Sequence, residues 1–284
     1  MKLLQLTLFV FLILPCAAQT RTGQDARATS ASYLGFDRNT YPGDADLKAL
    51  HETFSYTGYW LNNPPGEKTN TWRGHRAAVE SAGFGFLVLF NGRLYADLKS
   101  AELKSVARAT KLGNSDGQAA AAAARGEGFP EHTIIFLDQE QGGRMLPEQK
   151  AYIYAWVDAV TAAGFRAGVY CSGIPSPDDQ NVVTAEDIRA NGGSRQIVYW
   201  AINDSCPPAP GCTFPVHPPS PEQSGVSFAE IWQFAQSPKR KDVAASCQGY
   251  SHDGECYAPG LERQQIHLDV NSATSPDPSH GRAR

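Results

Sequence analysis

The stretch Thr133–Ser172 reads TIIFLDQEQGGRMLPEQKAYIYAWVDAVTAAGFRAGVYCS and contains a complete strand–helix–strand unit. Thr133–Gln141 carries the short apolar run IIFL, rich in β-branched and aromatic residues, which predicts a buried strand. Pro147 suits a first helical turn, apolar residues recur at helical spacing, and Gly164 ends the pattern, so a helix is predicted over Pro147–Ala163. Arg166–Ser172 is again a short apolar strand.

Working outward, the same alternation extends in both directions. Strands are predicted at Ser32–Asp37, Phe54–Leu61, Phe84–Asn91, Gln196–Asn203, Glu230–Gln236 and Gln265–Asn271, which with the two above makes eight. Helical patterns follow the first five strands: Asp46–His51, a short one near Arg73–Ser81, Asp116–Arg125, Pro147–Ala163 and Thr184–Ala190. After the sixth strand the pattern changes. Ser205–Ser227 holds seven prolines and no helical period, and Ser237–Leu261 is equally unhelical. Five βα units followed by three loop-connected strands predict an α/β barrel of the TIM type, spanning residues 32–273. A doubly wound open sheet would carry a Gly-rich phosphate loop after its first strand, and GFDRNTYPGD is not one.

The ends of the chain are of other material. Lys2 is the only charge before the apolar run Leu3–Leu14, and Cys16-Ala17-Ala18 offers small residues for a signal peptidase. A signal peptide is predicted over residues 1–18 and hence secretion, to the periplasm or beyond. The run is too short for a bilayer span of about 20 residues. Pro15 occupies the position where a lipidated cysteine is preceded by a very small residue, which argues against a lipid anchor at Cys16. Residues 19–31 and 274–284 are polar and unpatterned, and read as a flexible leader and a disordered tail. The net charge of −4 gives no case for nucleic acid or an anionic membrane surface. A monomer is expected.

Export bears on the cysteines. Cys206 and Cys212 bracket a Pro-rich loop, and Cys247 and Cys256 a Gly/Ser/Asp loop, so local disulfides Cys206–Cys212 and Cys247–Cys256 are predicted, with Cys171 a buried free thiol. No CxxC and no histidine pair at ligand spacing occurs, and no metal or other cofactor is expected.

In a barrel of this kind the reactive groups sit at the C-terminal ends of the strands. Those ends carry Asp37, Tyr59-Trp60, Asn91 with Arg93, Asp138-Gln139-Glu140, Tyr170, Trp200 with Asn203, Trp232-Gln233, and Asp269 with Asn271. Four acids, Asp37, Asp138, Glu140 and Asp269, are therefore candidate catalytic groups. Trp60, Asn91, Arg93, Tyr170, Trp200, Asn203, Trp232 and Gln233 are candidate substrate contacts, since aromatic faces pack against the apolar faces of sugar rings. Arg93 equally suits neutralising Asp37. Residues i and i+2 of a strand point the same way, so Asp138 and Glu140 share a face about 7 Å apart at Cα. Neighbouring carboxylates cannot both ionise freely, so one of them is expected to hold a proton near neutral pH, as glycosidic cleavage requires. A DxE pair at a strand end also occurs as a merely solvated or salt-bridged feature. His267 reads as an ordinary structural histidine. No GxSxG or HExxH is present, which weighs against esterase and zinc-protease chemistry.

GFDRNTYPGD, GNSDGQAAAAAA leading into TIIFLDQEQ, AGFRAGVYCSG, and the closing pair IWQFAQ and IHLDVN resemble a bacterial secreted glycoside-hydrolase-like barrel family known as a domain of unknown function (DUF1906). That family is related to the family 25 glycoside hydrolases, the lysozyme-type muramidases. The resemblance runs from about Tyr33 to Asn271. It implies a barrel of five βα units and three final strands. It also implies that Asp37 matches the muramidase aspartate ending strand one, that Asp138 and Glu140 match the DxE motif ending strand four, and that Asp269 matches an aspartate near the last strand. Glu140 would be the general acid and base, and Asp138 would stabilise the substrate's 2-acetamido group. The resemblance thus implies a glycan partner such as peptidoglycan. The long insertion Ser205–Ser227 and the strand-one sequence GFDRN depart from the muramidases. A barrel that binds glycan without cleaving it, or one associated with the envelope structurally, is the alternative.

Overall fold

The computed structural model describes residues 31–98, 106–241 and 245–283. The expected signal peptide, and the expected leader up to residue 30, lie outside the described residues. The strands are β1 (Tyr33–Asp37), β2 (Tyr56–Trp60), β3 (Gly85–Asn91), β4 (Ile134–Asp138), β5 (Arg166–Ser172), β6 (Ile197–Ile202), β7 (Ile231–Ala235) and β8 (Asp269–Ala273). They form a closed barrel in sequence order, so the open-sheet alternative is set aside. The helices are α1 (Asp44–His51), α2 (Arg76–Ser81), α3 (Tyr95–Leu98), α4 (Val106–Gly126), α5 (Pro147–Ala162) and α6 (Thr184–Asn191). All six precede β6, and only short 3-10 turns follow it among the described residues.

Strands β1 to β7 pair in parallel, but β8 runs antiparallel to both β7 and β1, with Asp37 opposite Asp269. Asp269 therefore begins its strand rather than ending it, as the sequence reading had it. The reversal still brings it to the mouth, because the start of an antiparallel strand lies beside the ends of its neighbours.

The same reversal delivers the chain after β8 to the opposite end of the barrel. There the segment expected to be a disordered tail is packed in place. Pairing of β3 with β4 begins only at Val88 and Ile135. Below that point the tail supplies the missing partners: Phe86 N donates to Asp277 Oδ1 and Val88 N to Ser279 Oγ, each at 2.8 Å. Ser279 N donates to Phe86 O and Ile134 N to Ser279 O, also at 2.8 Å. Arg76, buried on α2, donates to Gly281 O and lies over the Phe86 and Phe129 rings. Gly85 has no side chain because the tail crosses it: a Cβ there would stand 2.1 Å from Pro276 O. Polar composition misled the sequence reading because Asp277 and Ser279 are spent on backbone groups that would otherwise be buried unpaired.

The disulfides also differ from expectation. Cys206 pairs with Cys247 and Cys212 with Cys256, while Cys171 is a buried free thiol. The loops after β6 and β7 leave adjacent parallel strands and run side by side, with Cys212 N donating to Gln248 O at 3.0 Å. Each cysteine thus faces the other loop rather than its own loop's far end. The closed loops are about 40 residues long instead of a few (sequence separations 41 and 44), which raises the chain-entropy contribution to about 4 kcal/mol each. Peptide mapping of unreduced protein is expected to recover Cys206 linked to Cys247 and Cys212 linked to Cys256. Recovery of either intra-loop pair would refute this connectivity.

Candidate functional site

The barrel mouth is organised around Asp37. Its Oδ1 accepts from Asn271 Nδ2 at 2.7 Å and from Gln233 Nε2 at 3.0 Å. Each amide is oriented from behind by an aromatic donor: Trp200 Nε1 donates to Asn271 Oδ1 at 3.0 Å, and the Tyr170 hydroxyl donates to Gln233 Oε1 at 2.7 Å. Because indole N–H can only donate, the Asn271 amide must present its NH₂ to Asp37. Burial pushes the Tyr170 phenol well up, so it keeps its proton and remains a donor to Gln233. Asp269 accepts from Ser237 N at 2.6 Å and, weakly, from Gln233 Nε2 at 3.4 Å.

Asp138, which ends β4, is buried, and its Oδ1 has no hydrogen-bond partner. Glu140 lies two residues past the strand and is exposed. Asp37, Asp138, Glu140 and Asp269 nonetheless line one narrow hollow of about 110 Å³, with Trp60, Tyr170, Trp200 and Gln233 among its other walls. A wider trough of about 420 Å³ adjoins it and shares Glu140, Tyr170 and Gln236.

All four carboxyls are held above their ordinary range. Burial raises Asp37 to about 6, opposed by the hydrogen bonds from Asn271 and Gln233. Asp138 is raised well above the usual carboxylate range by burial, then by the nearby charges of Glu140 and Asp37. Burial followed by the charge of Asp37 does the same to Asp269. Glu140, the most exposed of the four, is raised by partial desolvation of its carboxyl. Of the DxE pair, the deeper Asp138 is the stronger proton holder.

These raised groups make stability depend on pH. A carboxyl whose folded pKa lies above its unfolded value favours folding at low pH, and that contribution is lost as pH rises through the folded pKa. For Asp37, a rise from 3.8 to about 6 corresponds to about 3 kcal/mol lost between pH 4 and pH 7. Replacing Asp37 by Asn keeps the acceptor oxygen and removes the charge. Thermal melts are expected to show the variant about 5 °C more stable than wild type at pH 8, with the two converging near pH 4. A variant less stable than wild type at pH 8 would show that ionised Asp37 is favourable in the fold.

Half of the candidate contacts read from the sequence lie elsewhere. Arg93 pairs with Asp116 on α4 (Nε to Oδ2 2.6 Å), not with Asp37, and lines neither compartment. Asn91 donates to Asn63 O and Asn203 to Ser224 O, so both hold loops. Trp232 is buried on the outer side of β7 and donates to Asn203 O. Period-two alternation explains this: Trp232 and Gln233 are neighbours and point to opposite faces. Tyr59 likewise packs outward against Trp72, Phe86 and Phe129, whereas Trp60 faces the hollow. Gln236, Ser172, Ser176 and Arg240 were missed, since they sit on or beyond the strand ends in segments without a periodic signal.

A family model described as the Rv2525c-like, glycoside hydrolase-like domain matches residues 53–206. The chain belongs to that family. The match covers β2 to β6 and includes Asp138 and Glu140. Among solved structures, this family member is similar to an uncharacterized B. stearothermophilus protein at 20% identity, covering 85% of this chain and 95% of that one with a TM-score of 0.52. It is also similar to the Mycobacterium tuberculosis Tat-secreted protein Rv2525c in complex with HEPES (12% identity, 88% and 98% coverage, TM-score 0.49). A family 25 glycosyl hydrolase from Bacillus anthracis aligns at 10% identity over 86% of this chain and 90% of that one, with a TM-score of 0.48. No curated protein sequence matches the chain.

Proposed function

We propose that this glycoside hydrolase-like domain is an exported enzyme that cleaves a glycan of the peptidoglycan type, with Glu140 as proton donor. The observation that carries the reading is Asp138 Oδ1, a buried oxygen without a partner in the wall of a hollow that also holds Glu140, Asp37 and Asp269. A buried polar group of this kind costs free energy unless something bonds to it, and the open side of the hollow is where a ligand polar group enters. Glu140, at the junction of hollow and trough, reaches both halves of a bound chain and exchanges protons with solvent. Its burial-raised pKa keeps it protonated further towards neutral pH than an ordinary glutamate, which is the state a general acid needs. Asp138 faces the polar substituents of the ring in the hollow, and Trp60 and Trp200 offer apolar surface to its face. Asp37, fixed by two amides, stabilises positive charge developing on the ring. No step uses a metal or an organic cofactor. Export is supported by two disulfides, which persist in oxidising compartments, and the described residues contain no helix long and apolar enough to cross a membrane.

The test is to incubate the mature protein with purified peptidoglycan and with a chitin-type oligomer and to assay new reducing ends. New ends from either substrate are expected. Binding without new ends would identify a glycan-binding barrel, and neither would remove the glycan from the reading.

A further inference from the structure

The two compartments of the mouth differ in their charged groups, although they share Glu140. The narrow hollow holds four acids, whereas among the described residues lining either compartment the one cationic side chain is Arg240, in the wall of the trough. Arg240 comes from the loop after β7, and its position is fixed from behind. Its Nε lies 2.9 Å from both Asp204 oxygens, and Asp204 is almost wholly buried at the end of β6. The Cys206–Cys247 disulfide ties the two loops together just beyond this pair, and Ser246 Oγ donates to Cys206 O at 3.1 Å. A long cationic side chain is thereby held partly exposed at the trough wall at little further entropic cost. The rest of the trough includes Gly142, Gly143, Ser172 and Ser176, and among the described residues Glu140 is its one acid.

We infer that the trough is a subsite for the anionic substituent of a carboxylate-bearing glycan, and that Arg240 is the residue that selects it. This rests on the glycan reading above. The chemistry follows from the lining: a carboxylate placed in the hollow would meet acids and, among the described residues, no cation, so a ligand carrying one is driven to seat its neutral ring there and its charge beside Arg240 in the trough. Guanidinium is the group suited to that recognition, because it stays charged at every relevant pH and presents several donors in one plane.

The experiment measures binding by calorimetry of a soluble carboxylate-bearing peptidoglycan glycan fragment and of the same fragment with its carboxylates reduced to alcohols. The Glu140→Gln variant serves as the host protein so that turnover does not consume the ligand. The expected result is about a tenfold preference for the carboxylated form, declining with added salt. Adding Arg240→Gln is expected to bring the ratio of the two affinities to about one. Since that change leaves Asp204 buried without its cation, the pair Asp204→Asn with Arg240→Gln is measured alongside and should give the same ratio in a folded protein. Equal affinity for both ligands in the host, or a preference that survives loss of Arg240, overturns the subsite while leaving glycan binding intact. Binding of neither ligand overturns the glycan reading and the subsite with it.

Discussion

Replacing Glu140 by Gln is expected to lower glycan cleavage by about 10²–10⁴-fold with binding retained, the ordinary worth of a positioned general acid. The substitution keeps volume and hydrogen-bonding capacity and removes only the titrating proton. In wild type the alkaline limb of the pH–rate profile should reflect a carboxyl raised by burial, and in the variant that limb should vanish, leaving a slow and flatter profile. Asp138→Asn separates the two acids. Asp138 holds its proton more tightly than Glu140, so when Glu140 ionises its neighbour is still neutral and exerts no like-charge repulsion. Asp138→Asn should therefore reduce the rate while leaving the alkaline limb in place. This differs from what adjacency in the sequence suggests, namely that removing one carboxylate lowers the pKa of the other. A Glu140→Gln variant with the full wild-type rate at every pH would exclude Glu140 as the donor and turn attention to Asp269 or Asp37, the other acids of the hollow.

The barrel was legible because its strands are buried on both faces and so read as short apolar runs separated by helical periods. The acids of the mouth were legible for a related reason: a carboxylate closing an apolar run has few structural uses. What escaped the sequence depends on partners distant in the chain. Helix α4 is already formed at Val106, ten residues before the expected Asp116, and its Gly113 and Gly117 allow close approach to α5. A Cβ at Gly113 would stand 2.2 Å from Tyr152 O, and one at Gly117 2.7 Å from Trp156 O. Tertiary packing overrides helix propensity here. The Pro-rich loop Ser205–Ser227 leaves the end of β6, where barrel loops build the cleft, yet it supplies no residue to either compartment. Cys206, Ala209, Cys212, Pro221, Ser224 and Val226 are buried, and the loop acts by bracing the segment that carries Arg240. Nothing in its composition distinguishes a wall of the cleft from a support behind that wall.

Ending the chain at Thr274 is expected to cost most of the protein's stability. The deleted residues satisfy Phe86 N, Val88 N, Ile134 N and Phe86 O and accept from Arg76 at the floor of the barrel. Leaving a buried backbone group without its partner costs about 1–3 kcal/mol. Four such groups and a half-neutralised arginine therefore remove several kcal/mol from a total that for a domain is about 5–15 kcal/mol. The truncated chain should lose its cooperative melt or melt more than about 10 °C below wild type. A melting temperature within a degree or two of wild type would show that water replaces the tail at no cost. Ser279→Ala, which removes only the acceptor for Val88 N, gives the graded case and should cost about 1–3 kcal/mol in urea denaturation. The location of the loss is as informative as its size. From Phe86 to Asn91, beside Asp138, is about 16 Å of strand, and the tail touches nothing at the mouth. A Ser279→Ala protein assayed well below its melting temperature should therefore bind glycan as wild type does, because the plug holds the floor of the barrel while the polarity of the mouth is set by the opposite ends of the same strands.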